Sequence, residues 1–202
     1  MKKWVWGYTF RMTLGSWLTL LSWLAFIVVW SALAVFAKRN TRATAWWRRG
    51  AFRLAVLALL IVLYGSGALK LNRAQLALLA HTSNASVALL GGACAVLGIA
   101  FAVWARLYLG RNWGMPQSVK ENPELVTTGP YAYIRHPIYS GMLLALFGSA
   151  LANNPLWFIV FIAAGLYFAV SAQKEETLLL NTFPDTYPAY RARTKRFIPF
   201  MY

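Results

Sequence analysis

Apolar residues fall in five long runs, at about 14–36, 52–69, 85–109, 138–152 and 155–172, separated by short stretches that hold most of the charges. A helix rises about 1.5 Å per residue and the hydrocarbon core of a bilayer is about 30 Å thick, so roughly 20 apolar residues are needed to cross it. The first and third runs meet that length, and the second and fifth approach it. The fourth, 138–152, reaches only about 22 Å by the same rise. The fourth and fifth therefore read as a helical hairpin turned by Asn153, Asn154 and Pro155, which need not cross the whole bilayer. Backbone groups in lipid require internal partners, so helices are the spanning structure this pattern predicts. The expected fold is an all-α integral membrane protein with about five transmembrane helices, the last two a hairpin, followed by a cytoplasmic C-terminal tail. It is read as one membrane domain over 1–202, with three helices in 1–109 and a loop, the hairpin and the tail in 110–202.

Composition agrees with a bilayer as solvent. Of 202 residues, 59% are hydrophobic and only 12% charged, against about 25% charged in soluble domains. A net charge of +15 raises the question of nucleic acid, but the basic residues lie in short clusters between apolar runs and form no stripe. Topology accounts for them better. With five crossings, Lys2, Lys3, Arg11, Lys70 and Arg73 share one side, and fifteen of the twenty Lys and Arg share the other. Cytoplasmic loops are enriched in Lys and Arg, which predicts an outside N-terminus and a cytoplasmic C-terminus. All five acids, Glu121, Glu124, Glu175, Glu176 and Asp185, follow position 120 and fall on the cytoplasmic side. Chemistry that needs a carboxylate is therefore expected in the C-terminal part.

Other features are bland. The first run follows Lys2, Lys3 and Arg11, as in a signal peptide, but it is about twice a signal core in length and is followed by Lys38, Arg39 and Arg42, so retention is expected. Cys94 lies in an apolar run and reads as a packing residue. The two histidines, His81 and His136, stand far apart, and no Cys, His, Asp and Glu cluster has metal-ligand spacing, so no metal is expected. Gly91, Gly92 and Gly98 in the third run suggest close helix packing. Trp4, Trp6, Trp46 and Trp47 read as interface anchors.

Two segments carry candidate chemistry. The first runs Gly129-Pro130-Tyr131-Ala132-Tyr133-Ile134-Arg135-His136-Pro137-Ile138-Tyr139-Ser140-Gly141. Gly129-Pro130 is a turn signal, and Pro137 suits a first helical position, where its missing N–H costs nothing. Arg135 and His136 then stand at a helix N-terminus, where free N–H groups favour an anion. The second segment, Lys174-Glu175-Glu176-Thr177-Leu178-Leu179, closes the fifth helix. Adjacent helical residues point about 100° apart, so one of the two carboxylates is expected to look squarely into a shared pocket, and which one stays open. A hairpin brings both segments to the same membrane face. Tyr187 and Tyr190 in the tail suit either the site or an aromatic belt.

Gly-Pro-Tyr-x-x-x-Arg-His-Pro-x-Tyr-x-Gly, followed after about thirty residues by Glu-Glu-x-x-Leu and then Phe-x-x-x-Tyr-x-x-Tyr, resembles the isoprenylcysteine carboxyl methyltransferase and phospholipid N-methyltransferase superfamily over roughly 105–199. The chain departs from the pattern at Phe183-Pro184, where Phe-Gly is usual. The resemblance implies methyl transfer from S-adenosylmethionine to a lipophilic or lipid-linked acceptor reached through the bilayer, with membrane lipids as surroundings and neither nucleic acid nor metal as partner. It also implies cofactor contacts from Tyr131, Arg135, His136, Pro137, Tyr139, Gly141, Glu175 and Glu176, with Arg193 and Glu176 as catalytic candidates. Two rival readings are an NADPH-dependent membrane reductase of the sterol-reductase type and a non-catalytic membrane scaffold.

Overall fold

A computed structural model describes residues 13–35, 84–113, 123–154 and 156–199. Within them the chain is helical: α1 (Leu14–Val35), α2 (Ala85–Leu109), α3 (Pro137–Ala152), α4 (Leu156–Thr182) and the short α5 (Tyr187–Arg193), with 3-10 turns at Gly110–Asn112 and Gly129–Ala132. Three of these helices, α1, α2 and α4, are long and apolar enough to cross a membrane. The run at 52–69, His81 and the four tryptophans named above lie outside the described residues.

The helix boundaries have local causes. The Asn84 side chain accepts from the N–H groups of Ser86 and Val87 and so starts α2. Gly110, at a φ of 51°, ends it. Pro137 opens α3 at its first turn, as its fixed φ favours. The α3–α4 hairpin turns at Asn153 and Asn154, as predicted, while Pro155 lies outside the described residues. Asn153 N–H and Nδ2 both donate to Ser149 C=O at 3.0 Å, and Asn154 Oδ1 accepts from Leu156 N–H at 3.1 Å. The fifth apolar run ends at 172, but α4 continues to Thr182, carrying Lys174, Glu175 and Glu176 on its last turns.

The central pair is α2 against α3, running antiparallel and packed through small residues. Gly91, Ala95, Gly98 and Ala102 on α2 recur at helical spacing, as do Gly141, Ala145, Gly148 and Ala152 on α3, and all are buried. A Cβ on Gly98 would stand 2.5 Å from the Ala145 nitrogen and from the Gly141 oxygen. Such contact lets backbones approach in lipid, where helices associate through packing and hydrogen bonds, without help from water. α1 runs parallel to α2 and is tied to α3 by polar side chains: Ser16 Oγ donates to Ala152 C=O at 3.1 Å, and Trp23 Nε1 donates to Ser149 Oγ at 3.0 Å.

This packing gathers the C-terminal ends of α1, α2 and α4 with the N-terminal end of α3. Every charged residue among those described, from Arg106 to Arg196, lies toward that end. The opposite end, near Thr13, Asn84 and Asn153, is uncharged among the described residues.

Candidate functional site

The segment before α3 and the tail after α5 meet as a short parallel ladder. Ile134 bridges Lys195, Arg135 N–H donates to Lys195 C=O at 2.8 Å, and His136 N–H donates to Arg196 C=O at 3.1 Å. The turn that leads into it needs a glycine. Gly129 has a φ of 58°, and a Cβ there would collide with the Tyr108 ring. The ladder is further fastened by Tyr190, whose hydroxyl donates to Tyr131 C=O at 2.8 Å, and by Ser140 Oγ, which donates to Phe197 C=O at 2.5 Å.

Onto this junction α4 directs Glu176, whose side chain is only 4% exposed. Its Oε1 accepts from Arg135 Nε and Arg196 Nε, both at 3.0 Å, and its Oε2 accepts from Arg196 Nη2 at 3.0 Å. Arg191 Nε stands 3.7 Å away. An ionised carboxylate this deeply buried is tolerable only when paired and hydrogen-bonded in this way. Arg135 also closes the C-terminal end of α5, since its Nη1 donates to the carbonyls of Arg191 and Thr194, where helix carbonyls lack partners and a cation is favoured.

His136 lies between the two carboxylates. Its Nε2 is 3.3 Å from Glu176 Oε1 and its Nδ1 is 3.5 Å from Glu175 Oε2. Burial of the ring disfavours its charged form, but hydrogen bonds to Glu175 and Glu176 outweigh that cost and raise its pKa above the ordinary 6.5. The two carboxylates thus reach one group despite pointing apart on α4, because an imidazole has nitrogens on opposite edges. Glu175 is the more open carboxylate, its side chain 23% exposed, and it accepts from the Tyr139 hydroxyl at 2.5 Å. Beneath, His136, Tyr139 and Phe168 form a stack of rings, with centroids 5.5 Å and 4.5 Å apart.

The expected residues divide by placement. Arg135, His136, Tyr139, Glu175 and Glu176 come together, and Tyr131 is buried beside them in the same apolar cluster as Tyr139 and Phe168. Pro137 serves as the first residue of α3. Gly141 faces α2, where a Cβ would stand 2.6 Å from the Gly98 oxygen, so helix packing accounts for it. Arg193 is exposed, with its guanidinium 5.9 Å from the Tyr190 ring centroid, and it stands outside the charge cluster. Tyr187 and Tyr190 are buried in the protein, which excludes an aromatic belt, and burial raises the pKa of Tyr190 to about 12.

Sequence reasoning passed over Arg191, Arg196 and Arg106. A buried Glu demands a cation, but four basic residues between 191 and 196 compete for it, and the ladder that selects among them is a tertiary feature. Arg106, nearly fully buried, donates to the carbonyls of Gly110 at 2.7 Å and Leu33 at 2.8 Å, with its guanidinium 4.5 Å from the Trp113 ring centroid. Its position in the last turn of an apolar helix was the available signal. Among the described residues, no group of three or more His, Cys, Asp and Glu side chains could hold a metal ion.

Residues 87–186 match the family model described as phospholipid methyltransferase, which takes in α2 upstream of the motifs. The nickel-cobalt-cadmium resistance protein NccN of Alcaligenes xylosoxydans xylosoxydans is 30% identical over 116 residues, or 56% of this chain and 49% of that protein. The protein-S-isoprenylcysteine O-methyltransferase of Schizosaccharomyces pombe is 30% identical over 99 residues, or 47% of this chain and 42% of that enzyme. The chain spans about half the length of the curated relatives it matches. A solved structure of a eukaryotic intramembrane Ras methyltransferase, isoprenylcysteine carboxyl methyltransferase, superposes with a TM-score of 0.56 at 22% identity, over 91% of this chain and 68% of that one. At that identity the likeness speaks for the fold.

Proposed function

The chain belongs, through residues 87–186, to the superfamily of isoprenylcysteine carboxyl and phospholipid methyltransferases, and from that premise we propose that it transfers a methyl group from S-adenosylmethionine to a lipophilic or lipid-linked acceptor at the inner face of the membrane. The observation that carries the reading is His136 held between Glu175 and Glu176, with Arg135 on the same carboxylate. The donor set suits such a cofactor. The partly open Glu175 carboxylate matches an ammonium or ribose hydroxyls, the half-exposed Arg191 matches a carboxylate, and the Tyr187 hydroxyl is buried without a hydrogen-bond partner.

When bound, S-adenosylmethionine supplies an electrophilic methyl on a sulfonium, so that the bond from acceptor to carbon forms as the carbon–sulfur bond breaks. The protein's task is then alignment and exclusion of water, and orientation alone is worth about 7–11 kcal/mol. Arg135, Tyr139 and His136 hold Glu175 and Glu176 in place, the stack of His136, Tyr139 and Phe168 forms an apolar floor, and in this reading the exposed Arg193 is the candidate to meet an acidic acceptor. A carboxylate acceptor needs no base. The one-sided crowding of charge supports a cytoplasmic location for this end, by the enrichment of Lys and Arg in cytoplasmic loops.

Calorimetry of the purified chain in detergent tests the proposal. S-adenosylhomocysteine binds the wild type, and Glu175→Ala weakens it by about ten- to a hundredfold, the range for one hydrogen bond to a charged group. Radiolabelled methyl from S-adenosylmethionine appears in extracted membrane lipids or a prenylated peptide. Binding of NADPH instead, or of neither nucleotide, overturns the reading.

A further inference from the structure

Glu176 was expected to touch the ligand, yet its surroundings point to another task. Both of its oxygens are engaged by one guanidinium, Arg196 giving Nε to Oε1 and Nη2 to Oε2 at 3.0 Å each. This fork-to-fork pairing is the most geometrically specific contact an Arg makes with a carboxylate. Oε1 carries Arg135 and His136 as well, and the carboxylate is almost closed to solvent. Glu175 presents the opposite picture, with a partly open carboxylate held by Tyr139 and His136.

The tail supplies more than one restraint on His136. Its backbone N–H is held by the Arg196 carbonyl, its ring lies against Phe197 with centroids 5.9 Å apart, and its Nε2 shares an oxygen with the Arg196 side chain. Arg196 and Phe197 thus fix the same ring through backbone, charge and packing. The ladder register explains why. With Ile134 opposite Lys195, Arg135 and Arg196 stand side by side and can reach one acceptor.

We infer that Arg196 and Glu176 are a positioning pair, which locks the C-terminal tail to α4 and orients His136 so that Glu175 alone presents its carboxylate to the ligand. The inference rests on the methyltransferase reading for the identity of that ligand, though its geometric content does not. Replacing Arg196 deletes none of the expected ligand-contacting side chains and removes only the strut behind them.

The test uses the full chain in detergent, with Arg196→Ala, Arg196→Lys and wild type compared in two measurements. The first is the titration of His136, followed by nitrogen NMR of histidine-labelled protein in a His81→Gln background, which leaves one histidine. The charged groups facing that ring are Glu175 and Glu176 from α4, Arg135 from its own segment, and Arg191 and Arg196 from the tail, with the Tyr139 hydroxyl beside it on α3. Loss of the Arg196 charge removes a repulsive neighbour of the imidazolium and frees Glu176, so the His136 titration moves to higher pH in Arg196→Ala and part of the way back in Arg196→Lys. The second measurement is S-adenosylhomocysteine affinity, which falls by roughly ten- to a hundredfold in Arg196→Ala, with partial recovery in Arg196→Lys.

An unmoved His136 titration in Arg196→Ala overturns the inference whether or not the nucleotide binds. Failure of the wild type to bind S-adenosylhomocysteine overturns the methyltransferase reading and leaves the titration to decide the positioning pair. Should Arg196→Ala not yield a monodisperse protein, Arg196→Lys carries the decision. It keeps the charge but loses the fork, and wild-type affinity together with a wild-type titration in that variant defeats the proposal.

Discussion

At the scale of single residues, His136 sets the pH behaviour of the junction. Its pKa in the folded protein is raised above the ordinary 6.5 because its hydrogen bonds to two carboxylates outweigh the cost of burial. A group whose folded pKa is raised stabilises the fold fully below its unfolded value, and that contribution is lost as pH rises through the folded value. The thermal midpoint in detergent is therefore expected to fall as pH climbs from about 6.5 through the raised titration, and His136→Gln removes that slope. A wild-type midpoint that rises over the same interval contradicts the assignment. The sequence showed His136 and both glutamates as candidates, because Arg-His-Pro and Glu-Glu are compact signatures. It could not show that Glu176 is saturated by Arg196, because that contact depends on a two-residue ladder between segments sixty positions apart. Nor could it separate Gly141, a helix contact, from its neighbours in the same motif.

At the scale of elements, the seam between α2 and α3 decides whether the site exists, since it fixes where α3 begins. Small residues at helical spacing make part of this seam legible in Gly91 and Gly98, whereas Gly92 packs against Gly15 of α1, and Asn153 with Asn154 mark the hairpin. The end of α4 was less legible. Hydropathy falls at Gln173, but the helix continues for another two and a half turns or so, because tertiary ion pairs hold its polar end. Two glycines give a matched test of the seam. Gly98→Ala places a methyl 2.5 Å from backbone atoms of α3, whereas the nearest atom to a Cβ on Gly165 of α4 is 3.8 Å away. The first should cost about 1–3 kcal/mol through overpacking, seen as a lower thermal midpoint or a loss of monodisperse protein. The second should be neutral or stabilising by up to about 1 kcal/mol, from helix propensity. Equal effects from the two substitutions would remove the seam from the account.

For the whole molecule, the arrangement of charge is the strongest statement about orientation. Every Lys, Arg, Asp and Glu among the described residues lies toward the end where the two motifs meet, and the other end offers Thr13, Asn84 and Asn153. Parallel α1 and α2 with antiparallel α3 make this polarity a property of the packed bundle and not of one loop. Cytoplasmic loops are enriched in Lys and Arg, and the proposed nucleoside cofactor, if made inside the cell, would reach the site from that side. In a Cys94→Ser background, Ser86→Cys should react with a membrane-impermeant maleimide on intact spheroplasts, while Lys195→Cys should react only in inverted vesicles; both side chains are exposed on the protein. The reverse pattern would put His136 and its carboxylates on the outer face. Methyl transfer from a cytosolic nucleoside would then be impossible, however well the residues match, so the orientation measurement bears on the function as directly as any active-site substitution.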